Sequence, residues 1–194
     1  MSANAQKDPA AKVVLDQIGA KVKGAKGIQV AIQLTSMNKT GKSMGVKQIS
    51  LKMKGDKYVL KEGKMEILCD GLNIYNFDGS NSISKSSVGE SDQTLSPQKL
   101  LSGNYDKEFN FKLLSQDAGK ATIELSPIDK RKSFQKVTLV IDKLKSALSS
   151  ALILDKSNNS TAVKVVSISY TAQLADNLFL FNKAKYPKNV EIFD

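Results

Sequence analysis

The chain has 194 residues, of which 41% are hydrophobic and 25% are charged, and it contains one cysteine, no histidine and no tryptophan. This composition is typical of a folded globular protein and excludes an intrinsically disordered chain. No apolar run is long enough to span a bilayer, and a lone cysteine cannot form an internal disulfide. Because the commonest general base and metal ligand are both missing, we expect no cofactor and no metal site.

The charge of the chain is strongly basic. The formal net charge is +10, from 29 basic and 19 acidic residues, and Arg131 is the one arginine. Proteins that recognise nucleic acids usually depend on arginine, whose planar guanidinium pairs with bases and phosphates, so we expect no nucleic-acid partner. Two interpretations of the lysines stay open: a solvated sheet face, or attraction to an anionic membrane surface or acidic protein. The densest group comprises Lys52, Lys54, Lys57, Lys61 and Lys64.

The first seven residues are typical of the end of a secretion signal. Ala3-Asn4-Ala5 before Gln6 has the small-x-small form of a signal-peptidase site, although no basic and apolar regions precede it. We therefore predict a leader remnant over residues 1–7, a single domain over residues 8–194 and a periplasmic location. A chance alanine-rich leader is the alternative. Gln6 is not a cysteine that could accept lipid, so the hypothesis predicts a protein without a lipid anchor.

A helix follows the leader. Asp8 is a good N-cap residue and Pro9 suits the first helical position. Val14 and Ile18 lie four residues apart, as on one face of a helix, and a glycine at 24 or 27 ends the pattern. We expect this helix to lie across a sheet.

Strands with a period of two occupy the next sixty residues. Ile28, Val30, Ile32 and Leu34 share one face of the first strand, which the alternation predicts over residues 27–35. Tight turns, such as Gly55-Asp56, connect the strands that follow into an antiparallel meander. Those strands are predicted at residues 46–54, 57–61, 65–69 and 72–77, with a short one around Ile83.

The middle of the chain interrupts the strands with a polar loop over residues 84–94 and a short helix over residues 95–101. Ser96 is a suitable cap, Pro97 a suitable first residue, and Leu95, Leu100 and Leu101 form an apolar face. A long loop with a short helix inside a meander is a common form of lid.

The second half resumes the alternation. Strands are predicted at residues 109–114, 122–127, 135–142, 147–155 and 162–170. The fold class is therefore mainly β with few helices (α+β), based on one antiparallel sheet with one apolar face that another sheet, helices or a ligand must cover.

Motifs for chemistry are weak in this chain. Gly41-Lys42-Ser43 resembles the end of a phosphate-binding loop but lacks the earlier glycine. Without histidine no catalytic triad can be completed, so we expect a binding protein and not an enzyme. Cys69 lies in an apolar strand, and it is either a small buried hydrophobe or a reactive thiol.

The order of these elements resembles that of the LolA-like periplasmic lipoprotein carriers over residues 8–194. The resemblance implies an unclosed β-barrel covered by short helices, as in the LolA and LolB folds, with lipoprotein acyl chains bound in an apolar cavity. It also implies a monomer that takes acylated lipoproteins from an inner-membrane release transporter to an outer-membrane acceptor. The motifs that carry it are Lys54-Gly55-Asp56-Lys57-Tyr58, Cys69-Asp70-Gly71, Ile74-Tyr75-Asn76-Phe77, Leu95-Ser96-Pro97, Leu125-Ser126-Pro127, Phe179-Leu180-Phe181, Tyr186-Pro187 and Val190-Glu191-Ile192.

The resemblance also suggests candidate residues. The acyl-chain lining would comprise the apolar residues Val30, Ile32, Leu34, Ile49, Leu51, Met53, Tyr58, Tyr75, Phe77, Phe111, Ile123, Leu139 and Ile153. Ordinary core packing is the alternative for each of them. The lid would comprise Lys54, Leu95, Leu100 and Leu101. Lys54 stands where carriers of this family have an arginine that locks the lid, and lysine forms fewer directional hydrogen bonds.

The sequence is also compatible with other functions. A lipid-binding or lipoprotein-sensing protein of the same fold, with another ligand, is the main alternative to a lipoprotein carrier. An enzyme would need a cluster of carboxylates with perturbed pKa values. A nucleic-acid binder would show steeply salt-dependent affinity.

Overall fold

The computed structural model describes residues 7–89, 97–102 and 105–194. Within these ranges the chain forms the α-helices α1 (Pro9–Gly24) and α2 (Pro97–Ser102), with short 3₁₀ helices at Asp176–Phe179 and Lys183–Lys185. The strands are β1 (Ile28–Met37), β2 (Ser43–Lys54), β3 (Lys57–Glu62), β4 (Met65–Cys69), β5 (Asn73–Phe77), β6 (Ser82–Ser87), β7 (Phe109–Gln116), β8 (Lys120–Pro127), β9 (Phe134–Asp142), β10 (Ala147–Asp155), β11 (Ser160–Ser169) and β12 (Glu191–Phe193). The predicted leader lies almost wholly outside the described residues, as does Leu95.

The strands form one sheet in the order β12-β6-β5-β4-β3-β2-β1-β11-β10-β9-β8-β7. In the part of the chain that the structure describes, β12 and β7 are therefore the edges, and the sheet is unclosed. The predicted class, mainly β with few helices on one unclosed sheet, is confirmed. No pattern in the sequence predicted β12, which pairs in parallel with β6, with Ile192 opposite Ile83.

The contacts of the chain divide it into two compact units. The helix unit comprises Met1–Gly24, Gln33–Val46 and Gln93–Val165, and thus contains both α-helices and β7 to β10. The tail unit comprises Ala25–Ile32, Lys47–Asp92 and Val166–Asp194, and thus contains β3 to β6 and the C-terminal segment.

In the helix unit, α1 begins and ends where the sequence predicts. The Asp8 carboxylate accepts a hydrogen bond from the Ala10 amide at 2.9 Å, as an N-cap residue should. Its other oxygen accepts from the Leu113 amide of β7 at 3.0 Å, which fastens the start of the helix to the sheet. The side chains that α1 buries are Ala11, Val14, Leu15 and Ile18.

In the tail unit, β3 is buried on both faces. Tyr58, Val59 and Leu60 are consecutive in β3 and all buried, although neighbours along a strand point to opposite faces. A continuous apolar run of this kind is typical of a strand covered on both sides. Gly55 (φ 59°) and Gly63 (φ 57°) occupy the left-handed region in the tight turns before and after β3.

Candidate functional site

In the helix unit, the buried side chains on one face of β7 to β10 are all apolar. The register pairs Phe111 with Leu125 and Ile123 with Leu139. Ile153 lies on the same face because it pairs with Val137, which in turn pairs with Leu125. The buried members of this apolar face are Phe109, Phe111, Ala121, Ile123, Leu125, Val137, Leu139, Ile141, Leu148 and Ala151. The structure thus brings four predicted lining residues, Phe111, Ile123, Leu139 and Ile153, onto one surface.

Helix α1 packs beside β7 at this surface. Leu15 of the helix lines one small cleft together with Tyr105 and Phe111, and the Asp8 amide donates to the Phe111 carbonyl oxygen at 3.0 Å. The Lys12 ammonium lies 2.6 Å from an Asp106 carboxylate oxygen. The helix therefore packs aliphatic side chains beside the β7 end of the apolar face and is fixed there by polar contacts.

Helix α2 has only six residues and is attached by a few polar contacts. Its predicted apolar residues Leu100 and Leu101 are buried. The Tyr105 hydroxyl donates to the Leu100 carbonyl oxygen. The Lys99 ammonium lies 2.9 Å from one Glu108 carboxylate oxygen.

Glu108 also binds a buried lysine. The Lys132 ammonium lies 3.2 Å from its second carboxylate oxygen, and Lys132 is only 7% exposed. Glu108 therefore links α2 to the loop between β8 and β9. Sequence reasoning missed this residue, because no local pattern joins a glutamate to lysines nine and 24 residues away.

The predicted lining residues of β2 to β5 in the tail unit lie on two opposite faces of the sheet. Ile49, Leu51 and Met53 alternate along β2 and are buried, and Tyr58 shares their face because it pairs with Met53. Burial raises the pKa of the Tyr58 hydroxyl to about 12. Val30 and Ile32 are likewise buried in β1, whereas Leu34 is half-buried and belongs to the helix unit.

Tyr75 and Phe77 lie on the opposite face of this part of the sheet. Tyr75 pairs with Leu68, which pairs with Val59, the neighbour of Tyr58 in β3. The expectation that both aromatic residues share a lining with Met53 is therefore corrected. The physical reason is that a one-residue difference in register exchanges the two faces of a strand. Acyl-chain binding by any of the residues stays a prediction.

An aromatic cluster of the C-terminal segment covers that opposite face. The Tyr75 ring stacks on the Phe181 ring with centroids 4.1 Å apart, and the Phe77 ring meets the Tyr186 ring edge-on at 5.1 Å. Phe179 is fully buried and packs against Val59 and Leu68. The Tyr186 hydroxyl lies 2.6 Å from a Glu66 carboxylate oxygen. These contacts attach the segment firmly to β3, β4 and β5.

Lys54 also contacts the C-terminal segment. Its ammonium lies 2.7 Å from an Asp176 carboxylate oxygen and 3.4 Å from the Leu174 carbonyl oxygen. The hydrogen bond from Lys54 lowers the pKa of the Asp176 carboxyl. The predicted lid role of Lys54 stays a prediction, and the contact observed here fastens the tail.

Cys69 lies beside the buried tyrosine of β3. It pairs with Tyr58 across the strands, and burial raises the pKa of its thiol. A raised pKa disfavours the thiolate, so the structure supports the buried hydrophobe over the reactive thiol. In the described ranges, no three histidine, cysteine, aspartate or glutamate residues are grouped to hold a metal ion. None of the helices there has the length and apolarity to cross a membrane.

Comparisons with known proteins agree with this architecture. A family model described as outer membrane lipoprotein carrier protein LolA matches residues 62–182. No curated protein sequence matches the chain significantly.

Solved structures share the fold at low sequence identity. An uncharacterised conserved protein from Thermus thermophilus has a TM-score of 0.62 and 12% identity, with 94% of this chain and 98% of that one covered. A LolA superfamily protein from Nitrosomonas europaea has a TM-score of 0.53 and 13% identity, covering 88% and 97%. A putative outer membrane lipoprotein-sorting protein domain from Vibrio parahaemolyticus has a TM-score of 0.52 and 12% identity, covering 87% and 95%. Since the family model matches well over half of the residues, the chain belongs to the LolA family of outer membrane lipoprotein carrier proteins.

Proposed function

We propose that this protein is a periplasmic carrier that binds the acyl chains of lipoproteins and takes them from the inner to the outer membrane. It works as a monomer and by binding alone, without catalysis. Its partners are acylated lipoproteins, an inner-membrane transporter that releases them and an outer-membrane acceptor. Membership of the LolA family and the apolar face of the helix unit support the proposal.

The observation that carries the proposal is the aliphatic and aromatic face of β7 to β10 in the helix unit. Burying one methylene group stabilises a complex by ~0.8 kcal/mol relative to water, so an acyl chain of roughly 16 carbons costs on the order of 12 kcal/mol to release. Free diffusion of such a cargo is negligible. Transfer between a bilayer and an equally apolar protein surface is nearly neutral, so small differences in partner affinity set its direction. Non-directional contacts also accept acyl chains of different kinds.

Helix α2 is the element that the cargo would displace. It buries Leu100 and Leu101 and is held by Lys99 and by the Tyr105 hydroxyl. An acyl chain on the apolar face would replace the apolar contacts of the two leucines by contacts of the same kind. The ion pair between Lys99 and Glu108 then favours the position of α2 seen in the structure until cargo binds.

Native mass spectrometry of the protein with a purified triacylated lipoprotein tests this function. We expect a one-to-one complex with the acylated form and none with its delipidated control. Binding of both forms would contradict the proposal, because the protein portion would then be the ligand. Uptake of free lipid without binding of either lipoprotein form would replace the carrier by the lipid-binding or sensing alternative.

Two neighbouring residues of β10 provide a matched pair of variants. Ile153 is half-buried on the apolar face, whereas Leu152 is 43% exposed and pairs with Thr138 on the opposite face. A buried unpaired ammonium is costly, so Ile153→Lys should lower cargo loading at least tenfold, and Leu152→Lys should leave it unchanged. Circular dichroism of both variants controls for folding. Equal loading of the two would assign cargo binding to another surface.

A further inference from the structure

Two turns lie side by side at one end of the helix unit. Residues 117–119 connect β7 to β8, and residues 143–146 connect β9 to β10. The Lys143 amide donates to the Gly119 carbonyl oxygen at 2.8 Å, and the Lys143 ammonium donates to the Asp117 carbonyl oxygen at 2.7 Å. The backbones of the two turns therefore form one connected surface.

Leu144 is at the tip of the second turn and is 86% exposed. The turn around it is well defined: the Asp142 carboxylate accepts a hydrogen bond from the Lys145 amide at 3.0 Å, and Ser146 adopts the left-handed conformation with φ 44°. The Lys21 ammonium, from the last turn of α1, donates to the Lys145 carbonyl oxygen. An apolar side chain is thus held in solvent by a turn that is braced from two directions.

The surroundings of Leu144 are basic. Lys143 and Lys145 flank it in sequence, and Lys120 pairs with Asp142 across β8 and β9. Both local carboxylates, Asp117 and Asp142, accept hydrogen bonds from amides of their own turns, and Asp142 also lies 3.5 Å from the Lys145 ammonium, which is itself largely exposed. The lysines of this end are Lys21, Lys120, Lys143 and Lys145, which gives two more positive than negative charges.

We propose that this end of the helix unit docks on the surface of an anionic phospholipid bilayer. Leu144 enters the boundary between headgroups and acyl chains, and the lysines around it contact lipid phosphates. An exposed aliphatic residue surrounded by basic side chains is the pattern that binds at a membrane interface. A protein partner would instead need an apolar area much larger than one side chain. The docking goes beyond the proposed function, because cargo binding on the apolar face does not require it.

A fluorescent reporter can be placed directly at the tip, since the chain contains no tryptophan. In Leu144→Trp, emission should shift to the blue on addition of phosphatidylglycerol-containing vesicles and not with pure phosphatidylcholine vesicles. Leu72→Trp is the matched control, because Leu72 is 77% exposed in a turn of the tail unit and its sequence neighbours, Gly71 and Asn73, are uncharged. We expect no shift for the control. An equal shift in both variants would overturn the placement of the docking site.

Vesicle co-sedimentation measures separately how much the lysine charge and the Leu144 side chain contribute to binding. Lys145→Gln should weaken binding to anionic vesicles about fivefold, and Leu144→Ser should weaken it about tenfold. High salt should weaken binding of the unsubstituted protein because it screens the lysines. Vesicle binding that does not change with salt, with vesicle charge or with either substitution would contradict the proposal. Binding to an acidic polypeptide without binding to any vesicle would contradict it too.

Native mass spectrometry with the triacylated lipoprotein separates this inference from the carrier function. Leu144→Ser and Lys145→Gln should load cargo normally while losing vesicle binding. Normal vesicle binding by a protein that loads no cargo would refute the carrier function alone. Normal cargo loading without any vesicle binding would refute the docking alone.

Discussion

The two units of this protein cover their apolar strands in different ways. In the helix unit, one face of β7 to β10 is apolar, α1 packs beside it at β7 and α2 packs against α1, and polar contacts attach both helices. In the tail unit, β3 to β5 carry a second covered face, on which aromatic rings of the C-terminal segment stack and interlock. The first cover depends on hydrophobic contacts that another apolar molecule can replace. The second depends on shape-specific ring contacts that only this segment makes, so ligand exchange is expected in the helix unit.

Removal of the central ring of the tail should have the largest effect on stability. Phe179 is fully buried against Val59 and Leu68, and Phe179→Ala should lower the free energy of unfolding by about 3–5 kcal/mol. Leu180→Ala is the control, because Leu180 is 55% exposed. Urea denaturation measures both. Similar losses of unfolding free energy in the two variants would show that the Phe179 ring does not hold the C-terminal segment on the sheet.

Removal of the carboxylate that holds α2 should have an intermediate and local effect. Glu108→Gln removes the negative charge that lies 3.2 Å from the Lys132 ammonium and 2.9 Å from the Lys99 ammonium, at a cost of about 1–2 kcal/mol. Hydrogen exchange should accelerate at the amides of α2. Glu124→Gln, which breaks the exposed pair with Lys136, should leave those amides unchanged. If both variants left exchange in α2 unaltered, the ion pair with Glu108 would not be what holds the helix.

The weakest expected effect concerns the acid dependence of α1. Hydrogen bonds from the Leu113 and Ala10 amides lower the pKa of the Asp8 carboxyl. Because this pKa is lower in the folded than in the unfolded chain, the stabilisation is complete above the ordinary value of about 3.9 and disappears as the pH falls through the folded value. The stability advantage of the unsubstituted protein over Asp8→Asn should therefore shrink between about pH 5 and pH 2. Urea titrations across this range measure the difference, and a constant difference would contradict the assignment.

Local signals predicted most elements of the fold. The cap and proline at Asp8 and Pro9 predicted the start of α1, and strict alternation predicted the apolar face that carries Phe111, Ile123 and Leu139. Alternation did not show that Tyr75 and Phe77 face away from Met53, because β5 carries apolar residues on both faces and its period does not distinguish them. It also missed β12, because a three-residue strand that pairs in parallel with β6 has no local signature.

The sequence by itself determined the periodicities, the turns and the class of the fold, since these depend on interactions between residues close in the chain. Only the tertiary structure decided which face of β5 contacts the C-terminal segment, which carboxylate contacts α2, and that Lys54 pairs with Asp176. Each of these contacts joins elements through the register of the sheet or the path of a loop. Their energies arise from packing and charge pairing between segments whose proximity exists only in the folded chain.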